Sequence, residues 1–241
     1  MFELLEFIKK PARPFGESTT YPNTSSAISR YAGSPRRANT WRWTTLVLAL
    51  AGLTVAGCTS DSETMRMRWY EARKAQPPKG DKIYVCHAFS CLLTTPVRFS
   101  PKEIKMLSGP FRGVANAQEE RRAISKAVQI FEHNVGRKIG TSSDLGGFEK
   151  VGGGDPTQMD CIDEATNTTS LLVFLQEHGV LKYHTVAEPV ARGFFLDGRY
   201  PHATAVVIDT RSKQRWSIDS WPNANAEPPV IMTLKDWFAE R

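Results

Sequence analysis

The sequence predicts an α+β domain in which helices pack on an antiparallel sheet. Helical patterns fill the middle of the chain, and four strand patterns then follow one another with little more than turns between them. Strands in such close succession pair as hairpins, which makes the sheet antiparallel and separates it from the helices. The chain from residue 58 onward is long enough for one ordinary domain with a real core.

The domain is predicted to begin with a helix or tether and a pair of strands. Residues 61–76 have the pattern of a short helix or tether that ends at a PPKGD turn. The segments KIYVCH and CLLTTPVRF are predicted to be two short strands. In SPKEIKML, Ser100 takes the N-cap position and Pro101 the first helical position, so a helix is expected to start there.

Two longer helices are predicted next, with a glycine-rich loop between them. Apolar residues recur at helical spacing from Ala123 to Val135, and Gly136 is expected to end this helix. The loop 141–158 lacks the Lys-Ser/Thr ending of a phosphate-binding loop, so we interpret it as a flexible lead to the next helix. That helix is expected to span about residues 159–178.

The last third of the chain is predicted to form the sheet. Gly198 and the turn Thr210–Lys213 mark hairpin connections between its strands. A Pro-rich loop and a short helix, TLKDWFAER, are expected to follow the sheet. The four predicted strands are LKYHTVAE, ARGFFLD, HATAVVIDT and QRWSIDSW.

A secretory signal is predicted ahead of the domain. The apolar run from Thr44 to Cys58 follows basic residues and is too short for a comfortable transmembrane helix. Its last four residues, Val-Ala-Gly-Cys, resemble the bacterial lipobox, in which small residues admit the signal peptidase and the cysteine carries the lipid. The alternatives are a generic signal peptide or an anchor helix that happens to contain a cysteine.

The lipobox resemblance implies how the chain is organised and where the protein resides. It divides the chain into an extension with signal peptide (1–57), a tether (58–80) and a folded domain (81–241). It also implies a bacterial envelope protein that is anchored in the membrane by a lipid on Cys58 and faces the periplasm. Thr59 after the anchor, where an Asp would be the other choice, favours the outer membrane by analogy.

Most of the basic charge belongs to the leader. The net charge of the chain is +6, and seven Lys and Arg against three Glu before Cys58 supply +4 of it. The remaining +2 is modest for a domain of this size, so nucleic acid is not predicted as a partner.

Three cysteines follow Cys58. In an oxidising compartment an even set of cysteines pairs, and an odd one is a candidate reactive thiol. Cys86 and Cys91 lie close together and are predicted to form a local disulfide. Alternatively, Cys86, His87 and Cys91 are the centre of a redox or metal protein, although three potential ligands without a second cluster are a weak zinc pattern.

The third cysteine belongs to a set of residues that suits nucleophilic catalysis. Cys161 opens a predicted helix, whose N-terminus is expected to lower the pKa of the thiol. His202, at the start of a strand, would accept the thiol proton, and Asp219 on the next strand would orient the imidazole. Gln158, three residues before the cysteine, is a candidate oxyanion donor together with the Cys161 amide.

Three segments resemble a known family: DCIDEATNTTSLLVFLQEHG, PHATAVVID and RWSIDSW. They are similar to the transglutaminase-like branch of the papain-like superfamily, most of all to the bacterial transglutaminase-like cysteine proteinases. The resemblance covers roughly residues 155–222 and departs from the family at Ile162, where Glu is usual, and at ATNTT, where Tyr-Ala is usual. The matching residues are Asp160, Cys161, Asp163, His202, Ala203 and Asp219.

The family resemblance implies an envelope thiol hydrolase, such as a cysteine peptidase or amidase, or an acyltransferase. The expected substrate is a peptide or protein amide, and no organic cofactor or metal is expected. Some relatives bind calcium near the cysteine, for which Asp163 and Glu164 are candidates, but the helix dipole explains these carboxylates equally well. The other hypothesis is a non-catalytic envelope lipoprotein that uses the same fold for binding or scaffolding.

Overall fold

The computed structural model describes residues 60–147, 153–193 and 201–240. The predicted signal and its Cys58 lie outside these residues, as does the predicted hairpin glycine, Gly198. Within the described residues, no helix is both long and apolar enough to span a bilayer.

The described elements confirm the α+β class. All described helices but the last come before the larger sheet in the chain, and every described strand pairing is antiparallel. The helices are α1 (Ser60–Ala72), α2 (Pro101–Ser108), α3 (Ala117–Ile139), α4 (Cys161–Glu177) and α5 (Leu234–Ala239), with a 3-10 turn at Gly109–Phe111. The strands are β1 (Lys82–His87), β2 (Leu93–Arg98), β3 (His184–Val186), β4 (Val190–Arg192), β5 (His202–Asp209), β6 (Arg215–Asp219) and β7 (Val230–Thr233).

Helix α2 begins where the sequence predicts it, whereas α3 ends later than expected. Ser100 caps α2 through a capping box with Glu103. Helix α3 continues through Gly136 and ends at Gly140, whose φ of +93° is the left-handed conformation that glycine favours. Gly136 serves packing instead, because a Cβ there would press on the backbone of Ser142 as the following loop folds back.

The larger sheet is not the simple meander that the sequence predicts. Its order is β3-β5-β6-β7, and β4 pairs with the same strand, β5, as β3 does. Strands β3 and β4 thus form one interrupted strand, and the pairing register shifts by one residue between them. Pro189 lies in the interruption, where its missing N–H cannot contribute to the ladder.

Strand β7 occupies a segment that was predicted to be a loop. It pairs with β6, matching Ile218 with Ile231 and Asp219 with Val230. Two prolines immediately precede it, and they hide a four-residue strand from pattern analysis. The pairing matters for the site because it leads directly into α5 and its Trp237.

Helix α4 is the central element of the described domain. It packs against β1 of the small sheet and β5 of the large one, and every residue from Asp163 to Leu175 is buried. Phe174 meets Phe99 of the loop after β2, and Phe99 in turn stacks on Phe131 of α3 with ring centroids 5.9 Å apart. The apolar core therefore joins both sheets through this helix.

Several polar residues in the middle of α4 are buried and bonded to a partner on a neighbouring element. Thr166 accepts a hydrogen bond from the Trp69 indole at 2.9 Å. Asn167 accepts from the Cys86 N–H at 2.7 Å and donates to the Cys86 carbonyl at 2.8 Å. Thr168 hydrogen bonds to Ser220 at 3.2 Å. These bonds satisfy groups that would otherwise make burial costly.

Much of the segment predicted to be a tether, 58–80, is packed against the domain. The Tyr70 hydroxyl of α1 hydrogen bonds to Ser170 at 2.9 Å and is buried. Arg66 donates to the Val186 carbonyl at the end of β3. Helix α1 therefore covers one side of α4 and brings Trp69 close to the start of that helix.

We predict that Asn167→Ala lowers the free energy of unfolding by about 2–3 kcal/mol, because it leaves a buried N–H and a buried carbonyl of Cys86 without partners. Urea unfolding of the full chain measures the change. Asn134→Ala is the control, since the Asn134 side-chain nitrogen has no hydrogen-bond partner among the described residues. Equal losses in both variants would contradict the prediction.

Candidate active site

Cys161 is the first residue of α4 and its thiol is free. Asp160 caps the helix, accepting from the N–H groups of Ile162 and Asp163 at 3.0 and 2.9 Å, and the Asp163 side chain accepts from the Asp160 N–H in return. This capping box fixes the direction in which the first turn leaves the preceding loop. Cys161 is only 8% exposed, so the residue is buried just beneath the protein surface.

A left-handed turn closed by a disulfide holds the two capping carboxylates. Cys86 and Cys91 form the predicted disulfide, and the four residues from Ala88 to Cys91 all have positive φ. This backbone points N–H groups inwards: those of Phe89 and Cys91 donate to Asp163 at 2.8 and 2.6 Å. Successive N–H groups in such a turn form a concave anion site. Here the Asp163 carboxyl group occupies that site.

Ser90 completes the contact between this turn and the helix cap. Its N–H and its hydroxyl both donate to the second oxygen of Asp160, at 3.0 and 3.1 Å. The Asp160 carboxylate thus accepts two hydrogen bonds from the helix and two from the turn. The disulfide-closed turn and the start of α4 therefore hold each other in place.

His202 and Asp219 form a buried pair on adjacent strands. The His202 Nε2 lies 2.6 Å from the Asp219 Oδ2, and the two residues are 7% and 3% exposed. Since the register pairs Ala205 with Ile218, His202 and Asp219 occupy diagonal positions on one face of the sheet. The same carboxylate oxygen accepts from the Trp237 indole at 2.7 Å, which fixes its orientation.

Two tryptophans enclose the imidazole. Its ring centroid is 4.6 Å from that of Trp221 and 5.4 Å from that of Trp237. With the Nε2 hydrogen directed at Asp219, the lone pair of a neutral ring is on Nδ1. Nδ1 is buried and has no hydrogen-bond partner among the described residues.

The Cys161 thiol lies beside the backbone on both sides of His202. Its Sγ is 3.8 Å from the carbonyl oxygen of Pro201, and the N–H of Ala203 also hydrogen bonds to it. Cys161 and Ala203 belong to one small buried cluster, against which Trp69 and Trp221 pack. The fold therefore brings the three predicted catalytic residues, Cys161, His202 and Asp219, to one place.

The pKa of the resting thiol contradicts the sequence-based expectation. Burial raises the pKa of Cys161 to about 12, and the negative charge of Asp160 adds to this; hydrogen bonds from the N–H groups of Ala203 and Cys161 itself oppose it less strongly. The helix N-terminus does not lower the pKa, because the capping carboxylate of Asp160 offsets its partial positive charge. The free thiol is accordingly neutral at rest.

The Gln158 side chain has structural partners. Its Nε2 donates to the Ser143 carbonyl at 3.1 Å, and its Oε1 accepts from the Leu145 N–H at 3.3 Å. It therefore braces the loop ahead of the active site, which Asp144 also secures by accepting from the Met159 N–H. These contacts lend no support to an oxyanion role for Gln158, which stays a prediction. The described first part of the loop, residues 141–147, packs against the domain instead of being the expected flexible lead, since Gly146 lies too close to the Asn223 backbone to accommodate a Cβ.

The three residues considered as a metal site, Cys86, His87 and Cys91, are bonded to other groups. The sulfurs of Cys86 and Cys91 are joined to each other, and both ring nitrogens of His87 hydrogen bond, to Pro156 and Thr95. The one group of possible ligands that comes together among the described residues is these two sulfurs with Asp163.

The two calcium candidates face different protein partners. Asp163 accepts N–H groups from the disulfide-closed turn, and Glu164 accepts from the Ser220 hydroxyl at 2.6 Å. Burial and the Asp160 charge raise the pKa of Asp163 to about 8 in spite of its N–H donors. The donor set suits hydrogen bonding within the protein and does not fit a calcium site.

A second buried carboxyl pair lies behind the site. Burial, with the charge of Asp144, raises the pKa of Glu164 to about 8. Burial and the proximity of Glu164 raise the pKa of Glu132 on α3 well above its usual value. The hydroxyl that Glu164 binds belongs to Ser220, the residue after Asp219, so this pair supports the strand end that carries the candidate catalytic carboxylate.

The sequence patterns did not indicate the roles of Trp237 and Asn167 in positioning the site. Trp237 appears in the sequence as an ordinary apolar residue of a C-terminal helix, and its indole N–H reaches Asp219 only because β7 pairs with β6. The Thr233 cap, three residues before Asp236, was the available signal for where α5 starts. Asn167 gave no signal, because its partner is backbone 81 residues away.

No protein-family model matches the chain, and comparisons with curated proteins and with solved structures also find no match.

We predict that replacing both Cys86 and Cys91 by Ala destabilises the protein by about 2 kcal/mol, the loop entropy of so short a bridge. The left-handed residues, each unfavourable by about 1 kcal/mol, then relax and withdraw their N–H groups from Asp163. Hydrogen exchange of the Phe89 and Cys91 amides should become at least about tenfold faster. Unchanged protection would mean that the hydrogen bonds to Asp163 hold the turn without the bridge.

We predict that Glu164→Gln makes the pH dependence of stability shallower. The ordinary pKa is 4.5 and the folded pKa about 8, so the folded state keeps a proton that the unfolded state has lost between these values. Stability from this group is therefore complete below pH 4.5 and is lost as pH rises towards 8. Thermal unfolding midpoints between pH 5 and pH 9 measure the effect. Exposed Glu63→Gln is the control and should leave the wild-type slope unchanged.

Proposed function

We propose that this protein is a thiol hydrolase of the cysteine peptidase or amidase class, or an acyltransferase, with a transglutaminase-like domain in the papain-like superfamily. Cys161 is the nucleophile, His202 the base and then the acid, and Asp219 the residue that orients His202. The observation that carries the proposal is the buried His202–Asp219 pair at 2.6 Å, with Nδ1 unpartnered and the Cys161 thiol beside the adjoining backbone.

The arrangement suits a nucleophile that is activated when substrate binds. The neutral Cys161 thiol transfers its proton to His202 Nδ1 while the sulfur forms a bond to the amide carbonyl carbon. Asp219 stabilises the resulting imidazolium, and the Cys161 backbone N–H at the first position of α4 is the candidate donor to the oxyanion.

The remaining steps use the same groups. The imidazolium returns the proton to the leaving amine as the carbon–nitrogen bond breaks, which leaves an acyl group on the sulfur. Water then releases the acyl group in a hydrolase, and a second amine releases it in an acyltransferase; in both cases His202 accepts the proton of the incoming nucleophile. No metal or organic cofactor is needed for these steps.

The cellular setting that we propose comes from the sequence. A lipid on Cys58 would anchor the domain to the bacterial envelope with its active site in the periplasm, the outer membrane being favoured. A disulfide between Cys86 and Cys91 is in keeping with an oxidising compartment. The proposed substrate is accordingly a peptide or protein amide of the envelope.

One observation favours a second candidate, a non-catalytic lipoprotein that binds or scaffolds. A thiol with a pKa of about 12 and 8% exposure is also what an inert, buried cysteine shows. The two candidates differ in whether the reactivity of Cys161 depends on His202.

We predict that iodoacetamide alkylates Cys161 of the folded full chain at pH 7 and that His202→Ala slows the reaction about 100-fold, the usual size of general-base assistance. Peptide mass spectrometry reports Cys161 separately from Cys58. His178→Ala is the control, since His178 is exposed and bonded to its own helix. If Cys161 is unreactive, or reacts equally fast without His202, the enzyme proposal fails and the binding protein takes its place.

A further inference from the structure

A large cleft begins next to the nucleophile. Its volume is about 900 Å³, and Ile162, the residue after Cys161, forms part of its wall. The end of helix α1 and the two residues after it supply another wall, and the disulfide-closed turn with the start of β2 supplies the third. The residues that line the cleft include Arg73, Lys74, Ser90, Leu92, Thr94 and Ile162.

Arg73 stacks on an indole near the candidate nucleophile. Its guanidinium carbon lies 3.7 Å from the ring centroid of Trp69. That indole is fixed by its hydrogen bond to Thr166 and packs against the cluster that contains Cys161. Arg73 also interacts electrostatically with Cys161 and Asp160, and its own pKa is lowered by partial burial. A stacked, partly desolvated guanidinium loses little entropy when it binds an anion.

The charge of Arg73 is not neutralised by a contact within the described part of the chain. No carboxylate there lies within 4.0 Å of the guanidinium, and Nε is buried without a hydrogen-bond partner. The nearby Asp160 carboxylate is already occupied by four donors from the helix and the turn. Both charged residues of the described cleft wall, Arg73 and Lys74, are basic.

We propose that Arg73, assisted by Lys74, binds a carboxylate of the substrate next to the bond that Cys161 attacks, so that the substrate is an acidic peptide. The guanidinium fork matches a carboxylate with two parallel hydrogen bonds, while the Lys74 ammonium adds charge at the exposed rim. Leu92, 67% exposed on the opposite wall, offers an apolar contact to the rest of the peptide. This inference rests on the thiol chemistry proposed above and names its substrate class.

The first test compares an anionic and a neutral alkylating reagent at Cys161 of the full chain. Iodoacetate carries a carboxylate one carbon from the reacting centre, and iodoacetamide is its uncharged counterpart. We expect Arg73→Gln to lower the ratio of the iodoacetate rate to the iodoacetamide rate about fivefold, the effect of one ion pair near 4 Å in a watery cleft. The neutral reagent corrects for any change that the substitution causes in the thiol itself.

Arg68→Gln is the matched control. Arg68 is exposed on the same helix and its removal changes the net charge equally. An unchanged ratio in Arg73→Gln, or an equal drop in Arg68→Gln, overturns the carboxylate site while leaving the thiol chemistry standing. Failure of both reagents to modify Cys161 overturns the proposed enzyme instead. The carboxylate site is then tested by the binding measurement alone.

The binding measurement uses the Cys161→Ala full chain and fluorescence anisotropy of three labelled peptides. The first contains two Glu residues and an amidated C-terminus, the second has Gln at these positions, and the third is the Gln peptide with a free C-terminus. Stronger binding of the Glu peptide, lost in Arg73→Gln, supports an internal acidic residue. Preference for the third peptide assigns the carboxylate to a chain end. Equal binding of all three overturns the proposal.

Discussion

The structure depends on the way in which two carboxylates anchor the start of helix α4. Asp160 and Asp163 accept hydrogen bonds both from their own helix and from the turn between β1 and β2. The cost of burying these acids is met by N–H donors that have no other partner, since the left-handed turn directs them away from any ladder. Because Cys161 lies between the two acids, the same contacts fix the candidate nucleophile relative to the small sheet.

The large sheet places the other half of the site by an independent route. Pairing of β5 with β6 sets His202 diagonal to Asp219, and pairing of β6 with β7 brings the Trp237 indole to the same carboxylate. Helix α4 packs on β5, so these two halves meet where its first turn passes the start of that strand. The site is thus a junction of two sheets across one helix, and its precision comes from rigid elements on both sides.

Burial gives this site a neutral resting thiol. A low dielectric and two nearby carboxylates, Asp160 and Asp219, disfavour the thiolate more than the helix start favours it. In the mechanism that we propose, a neutral thiol needs a base that is already oriented, and the His202–Asp219 pair is the candidate for it. The Arg73 guanidinium, which we propose binds a substrate carboxylate, lies on the cleft side and carries the opposite charge.

The sequence by itself determined the α+β class, the first turn of α2, the local disulfide and the identity of the three candidate catalytic residues. The helix start and the disulfide follow from local chemistry, because caps and prolines set helix starts and Cys86 and Cys91 are only five residues apart. The fold class follows from the order of the elements, and the three candidate residues from their order and spacing together with the family resemblance. Tertiary structure alone decided the pKa of Cys161, the burial of Asn167 and the contact of Trp237 with Asp219. These depend on groups far apart in the chain, whose meeting is set by packing between elements and leaves no periodic or positional pattern in the sequence.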